Sequence, residues 1–179
     1  MNGPVSIAHT HVHSLRILNG AEALIARVLT PEGAAGYGFT LNLDAAVARD
    51  MAAWDALARS RSVALCALLG GCRRKSVAVE RDDGRGALLR VDPFAVGSVE
   101  GVRAIIAPGD RALALVAPNA HPWEIAYCAA LAAADSGSDV RIVLPGEPRV
   151  AEIAVPEVPG VGVDWSLEPA FAALVWWRY

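Results

Sequence analysis

Three histidines at alternate positions are the first residues in this chain with chemistry to offer. His9, His11 and His13 spell H-x-H-x-H. On an extended strand alternate side chains share a face, so the three imidazoles would line up together. Neutral imidazoles so spaced can ligate zinc or nickel, and a solvated strand face explains the same pattern. His121, with Glu124 three residues later, follows an apolar run and opens a helical one. Ligands of α/β proteins gather there, beyond the carboxyl ends of strands. With Pro122 beside it, His-Pro-Trp is also an ordinary helix entry. Cys72 precedes Arg73, Arg74 and Lys75, a setting that lowers a thiol pKa, although a solvated basic turn uses the same residues. Cys66 and Cys128 sit among apolar helical positions and read as core. Asp82, Asp83 and Asp92 are turn carboxylates without ligand spacing, and Gly36-Tyr37-Gly38 lacks the strand–turn–helix setting of a phosphate loop.

These residues need elements to hold them. PVSIAHTHVHSLRI (4–17) is rich in β-branched residues and alternates in places, as a strand does. Asn19-Gly20 is a hairpin signal, EALIARVLT reads as the returning strand, and AAGYGFT as a third after the turn at Pro31-Glu32-Gly33. Asp44 is placed to cap a helix running to about Arg59, with Ala45, Ala48, Met51, Ala52 and Leu57 on a mixed apolar face. A short helix, VALCALLGG, closes on two glycines. Beyond it the order changes. SVAVE (76–80) and ALLRV (87–91) are strands around the charged turn RDDGRG. Residues 98–106 form a helix capped by Ser98, 111–117 a buried strand, 123–135 a helix and 140–144 a strand. Such a β-β-α-β-α-β order predicts mainly parallel pairing with helical crossovers.

Composition narrows the possibilities. At 179 residues and 54% hydrophobic, the chain is one domain, or one with a small companion. Sixteen basic residues against nineteen acidic ones leave no excess positive charge for phosphates, so a nucleic-acid binder is not expected. The longest apolar stretch, Ile125 to Ala134, is far short of the roughly 20 residues of a spanning helix. MNGPVSIAHTHVH has no basic region ahead of an apolar one, so no secretory leader is expected. Three cysteines without a C-x-x-C suit a reducing cytoplasm. Arginine outnumbers lysine fifteen to one, and Lys75 is the sole lysine, which excludes any mechanism built on a lysine pair.

Four segments, in order, resemble the mandelate racemase and muconate-lactonizing branch of the enolase superfamily. TPEGAAGYGFT (30–40) is similar to that family's turn and strand ending in G-aromatic-G, and ARDMAAWDALARSRSVALCALLGG (48–71) to its M-A-x-W-D helix and L-L-G-G turn. ALALVAPNAHPW (112–123) resembles its third barrel strand, and VPEVPGVGVDW (155–165) the segment that leaves the barrel for the cap. The resemblance implies a divalent metal, held by carboxylates ending the third, fourth and fifth barrel strands, and a lysine or histidine that removes an α-proton. Here Ala117 stands at the first ligand position, while Leu88-Leu89-Arg90 replaces the family's K-x-K. A guanidinium stays protonated and makes a poor base. Glu147-Pro148 matches the E-P of the fourth strand, so Glu147 is a surviving ligand candidate. Only residues 76–150 stand where a barrel of about 250 residues belongs. Two of the N-terminal histidines also resemble the H-x-H of amidohydrolases, whose later ligands have no counterpart.

The expected fold is therefore α+β. An enolase-like capping domain covers residues 1–72, a truncated α/β barrel of about four strands covers 73–150, and an exit segment, 151–179, returns to the cap. The expected function is that of a structural, binding or partner subunit, without cofactor and without the family's metal-dependent proton abstraction. The alternative is a small lyase or isomerase for acid sugars or hydroxy acids, using Glu147, His121 and Arg90. Its metal, Mg2+ for example, would fall to Glu147 or to His9, His11 and His13. Four barrel strands leave two open edges, so a homodimer is expected, with Trp176-Trp177 as a candidate anchor. A full-length paralogue is the other candidate partner; no nucleic acid or membrane is expected, and the cytoplasm is the expected location.

Overall fold

An antiparallel meander opens the structure, a computed structural model that describes residues 4–82, 88–107, 112–134 and 139–172. Strand β1 (His9–Arg16) pairs with β2 (Glu22–Leu29) from His9 opposite Leu29 to Arg16 opposite Glu22, and β2 pairs with β3 (Ala35–Thr40). Asn19 and Gly20 make the first turn: Gly20 takes φ +84°, its N–H donates to the Ile17 carbonyl, and the Asn19 side chain accepts from Ala21 N–H. Only glycine adopts that φ without cost, which is why the signal was legible.

Helix α1 (Ala45–Ser60) starts where Asp44 accepts from Ala46 N–H at 2.8 Å. It lies directly on β3. A Cβ at Gly36 would overlap the Ala52 carbonyl oxygen, and one at Gly38 the Ala48 carbonyl oxygen. The helix answers with Ala48, Ala52 and Ala56, one per turn, against Ala26 and Val28 of the sheet. Glycines on the strand and alanines on the helix thus bring two backbones into contact. Gly38→Val should cost at least the roughly 1–3 kcal/mol typical of overpacking, because rigid backbone meets the added carbons. A urea midpoint equal to that of the parent would contradict this packing. The sheet's other face carries Leu15, Ile17, Ala23, Ile25 and Phe39 into the main core.

After the short helix α2 (Leu65–Leu68) come five strands, β4 (Ser76–Arg81), β5 (Leu89–Val91), β6 (Leu113–Val116), β7 (Val140–Leu144) and β8 (Glu152–Ala154). Helices α3 (Pro93–Val96) and α4 (Val99–Ile106) link β5 to β6, and α5 (Pro122–Ala133) links β6 to β7. Four parallel strands and their crossovers were expected. Two features were not. The strand order is β5-β6-β7-β4-β8, so β4 lies beside β7, with Val79 opposite Ile142 and Arg81 opposite Leu144. In a (β/α)₈ barrel successive strands pair in sequence, and the place next to the fourth belongs to the fifth. In addition, β8, in the exit segment, for which no strand was expected, pairs antiparallel with β4 on its other side. The three-residue β8 therefore replaces β4 as the edge on that side of the sheet. Strand β5 is also shorter than 87–91, and the turn at 83–86, like Trp176-Trp177, lies outside the described residues.

The exit segment is tied to α1 and β3 through Asp55, which is fully buried. Its Oδ2 accepts from Tyr37 N–H at 2.9 Å and from Arg59 Nε at 2.5 Å, and its Oδ1 from Val161 N–H at 2.8 Å. Gly160 passes at φ +110°, where a Cβ would strike Asp55 Oδ1, and its carbonyl accepts from Leu65 N–H. The cysteine reading needs correction. Cys66 is core as expected but is bonded to Cys72, which is therefore no free thiol, whereas Cys128 is free and buried. Among the described residues no helix is long and apolar enough to cross a membrane.

Candidate functional site

Parallel strands point their carboxyl ends at one rim, and ligand sites collect there. The polar side chains at this rim are paired with one another. Arg81 holds Glu147 at 2.8 Å, and Arg90 holds Asp82 at 2.5 Å. Asp92 caps α3, accepting from Phe94 N–H. Between them, after β6, Ala117 is fully buried, and its N–H donates to the Val143 carbonyl. Just below, Arg141 bridges Glu80 at 2.5 Å and Asp139 at 2.7 Å. The guanidiniums on Glu147 and Asp82 compete with any cation, Asp92 is taken up by the cap of α3, and a hard divalent ion needs several oxygens together. Among the described residues no three His, Cys, Asp or Glu side chains are grouped to hold a metal.

His121 lies deeper, at the entry to α5. Its Nδ1 accepts from Trp123 N–H at 3.2 Å, which places the ring proton on Nε2, 2.8 Å from Glu168 Oε1. Glu168 follows the turn Trp165–Leu167 and precedes helix α6 (Pro169–Ala172); its Oε2 accepts from Leu18 N–H at the tip of the first hairpin. Glu124 closes the capping box and accepts from both the backbone and the side-chain amide of Asn119 at 2.9 and 2.8 Å. Around this cluster Trp123 meets Phe39, Trp165 and Phe171 edge-on, and Trp165 stacks on Phe171. His121, Glu124 and Glu168 are all buried. The His121–Glu168 and Glu168–Leu18 bonds tie the entry of α5 to the exit segment and that segment to the hairpin, a joint rather than an acid–base pair facing solvent, while Glu124 and Asn119 close the helix entry itself.

Burial sets the electrostatics. It pushes the Asp55, Asp50 and Glu124 carboxyls above the usual carboxylate range, despite the donors around them, and pushes the Cys128 thiol up as well. A carboxyl whose folded value is raised binds its proton more tightly folded than unfolded. Its contribution to stability is complete below the unfolded value and disappears as pH rises through the folded one. The exposed Asp139 and Asp164, held low by Arg141 and Ser166, act in the opposite sense. Asp50 accepts from Val99 N–H at 2.7 Å, a bond an asparagine oxygen can keep. Asp50→Asn should therefore raise the melting temperature more at pH 8 than at pH 5. Parallel melting curves for variant and parent across that range would contradict this.

The residues singled out by sequence are thus distributed rather than gathered. His9, His11 and His13 share an exposed face of β1, as their spacing requires. His121 belongs to the buried joint, whereas Glu147 and Arg90 sit at the rim with separate partners. Asn119, Glu168 and Asp55 matter more than the sequence reading allowed. Glu168, 47 residues beyond His121 and 150 beyond Leu18, has no local signal. Asp55 was visible only as the last letter of M-A-x-W-D.

No protein-family model and no curated protein sequence matches the chain. Solved structures do. A provisionally assigned isomerase from Sinorhizobium meliloti aligns with a TM-score of 0.55 at 14% identity, over 89% of this chain and 96% of its own. The 2-chloromuconate cycloisomerase of Rhodococcus opacus 1CP gives 0.53 at 11%, over 89% and 97%. With a muconate lactonizing enzyme from Klebsiella pneumoniae the values are 0.37 at 14%, and the chain spans about half of it (51%). The fold is therefore one shared with that isomerase and the 2-chloromuconate cycloisomerase, as the resemblance to the mandelate racemase and muconate-lactonizing family implied.

Proposed function

We propose that this chain is a shortened descendant of that enzyme family which no longer abstracts α-protons and serves as a binding or structural subunit. The pairing of β4 with β7 carries the reading. With β4 in the place next to the fourth barrel strand, the fifth strand and its carboxylate have no position to occupy. A divalent metal, which the family's chemistry uses, does not fit the residues that remain. Ala117 offers a buried methyl, and Glu147 already faces the Arg81 guanidinium. Arg90, where a lysine base would stand, is paired with Asp82 and keeps its proton. With metal and base both gone, neither stabilisation of an enediolate nor removal of the proton has a provider. The lyase reading is weaker, because His121, Glu147 and Arg90 are each engaged with a different partner.

The full chain, incubated with Mg2+ in D2O with a panel of acid sugars and hydroxy acids, should show no loss of the α-proton signal beyond the protein-free control. Mg2+-dependent exchange that disappears in Glu147→Gln would overturn the proposal. For the partner, the reading is a second copy. Beside β5 an open groove of about 560 Å³ has Leu89, Val91, Val96 and Ile105 in its lining together with Arg90 and Asp92, and open strand edges of this kind pair. Light scattering at micromolar concentration should give twice the 18.7 kDa of one chain. A monodisperse species at the mass of one chain would contradict self-association.

A further inference from the structure

We propose that Cys66–Cys72 is a reversible thiol–disulfide clip that fixes one wall of a cavity between α2, α4 and α5. The cavity holds about 160 Å³, and its lining includes Leu69, Gly70 and Arg73 on the clip side, Arg103 and Ile106 of α4, and Leu131 of α5. Leu69 and Gly70 lie inside the small ring the disulfide closes, and Arg73 is the next residue but one past a glycine at φ +113°. Cys66, a residue of α2, is fully buried, whereas Cys72 is exposed and followed by three cations, Arg73, Arg74 and Lys75. The bond therefore has one sulfur that solvent reaches and one that it does not. Arg73 N–H donates to the Ala133 carbonyl at the end of α5, so the clip's outer end is also docked on the cavity's far wall.

The geometry gives a direction to the exchange. A small thiol reductant attacks as thiolate at the exposed Cys72 Sγ; the S–S bond breaks, and Cys66 leaves with the electron pair and takes a proton. A second reductant thiolate attacks the outer sulfur of the mixed disulfide, releasing Cys72 as a thiol and the reductant as its own disulfide. Two electrons pass from two thiols to the clip. The neighbouring cations draw the attacking thiolate to Cys72 in the first step and favour Cys72 as the leaving anionic sulfur in the second. Once open, the chain from 66 to 72 regains freedom that the ring had removed, and the cavity wall loosens with it.

This inference stands apart from the loss of catalysis, and its test does not depend on it. The native full chain is treated with reduced glutathione or dithiothreitol, quenched with acid, unfolded and alkylated, and its thiols are counted by mass. One thiol is expected before treatment, Cys128, and three after, with the melting temperature lowered by roughly 5–10 °C and restored by oxidised glutathione. Cys72→Ser should melt like the reduced protein and ignore dithiothreitol, while Cys128→Ser should keep the full response. Amide exchange at 67–73 should quicken on reduction. A clip that reduces only in denaturant, or reduction that leaves both melting and exchange unchanged, overturns the proposal.

Discussion

Asp55→Ala is expected to lower stability by about 2–5 kcal/mol, the cost of removing a buried carboxylate that serves two backbone N–H groups, at roughly 1–3 kcal/mol for each orphan, and one partly exposed guanidinium. Three donors depend on this carboxylate, Tyr37 N–H, Val161 N–H and Arg59 Nε, and they come from three segments far apart in sequence. Deleting it leaves two backbone N–H groups without their acceptor at the contact of β3, α1 and the exit segment, while the partly exposed Arg59 guanidinium can turn to solvent. Asp55→Asn keeps one acceptor oxygen and should lose less. Chemical denaturation of the three proteins measures the order; an alanine variant within 1 kcal/mol of the parent would show that Asp55 is not the joint described.

The second large effect is expected at Glu168. Alanine there strands the buried His121 Nε2–H and frees the Leu18 N–H of an exposed residue, for a loss of about 1–3 kcal/mol carried mainly by the one buried orphan. Because Leu18 is at the hairpin tip and His121 at the start of α5, the loss should be local before it is global. Amide exchange at Leu18 should rise by an order of magnitude or more while β2, in the middle of its sheet, stays protected. Uniform acceleration across both sheets, or none at Leu18, would contradict this role.

How far the fold could be read in advance follows the range of the forces involved. Asp44, Ser98 and the glycine of Asn19-Gly20 act within three or four residues, so helix starts and hairpin were legible from local chemistry. Gly36, Gly38 and the Ala48-Ala52-Ala56 row were also visible, but as a family resemblance, and the structure supplies their cause in the contact of two backbones. The register of β4 against β7 was not legible. Both strands are apolar enough to lie anywhere in a parallel sheet, and nothing in SVAVER or VRIVL names a neighbour. The candidate site divides the same way. His121 and Glu124 stand in one helix entry and could be read together, but their meaning depended on Glu168, which no spacing rule connects to them. The disulfide was missed for a related reason: five residues, two of them glycines, between Cys66 and Cys72 make a ring that only a particular turn can close.

The account depends most on the place taken by the first parallel strand, and proton–proton contacts across the sheet test that directly. In a nuclear Overhauser experiment on the labelled full chain, cross-strand contacts are predicted between Val79 and Ile142 and between Arg81 and Leu144, the pairs that put β4 beside β7. Contacts joining β4 to β5 in sequential barrel order, with those pairs absent, would reopen the place next to β7 and contradict the reading that no fifth-strand ligand can be accommodated.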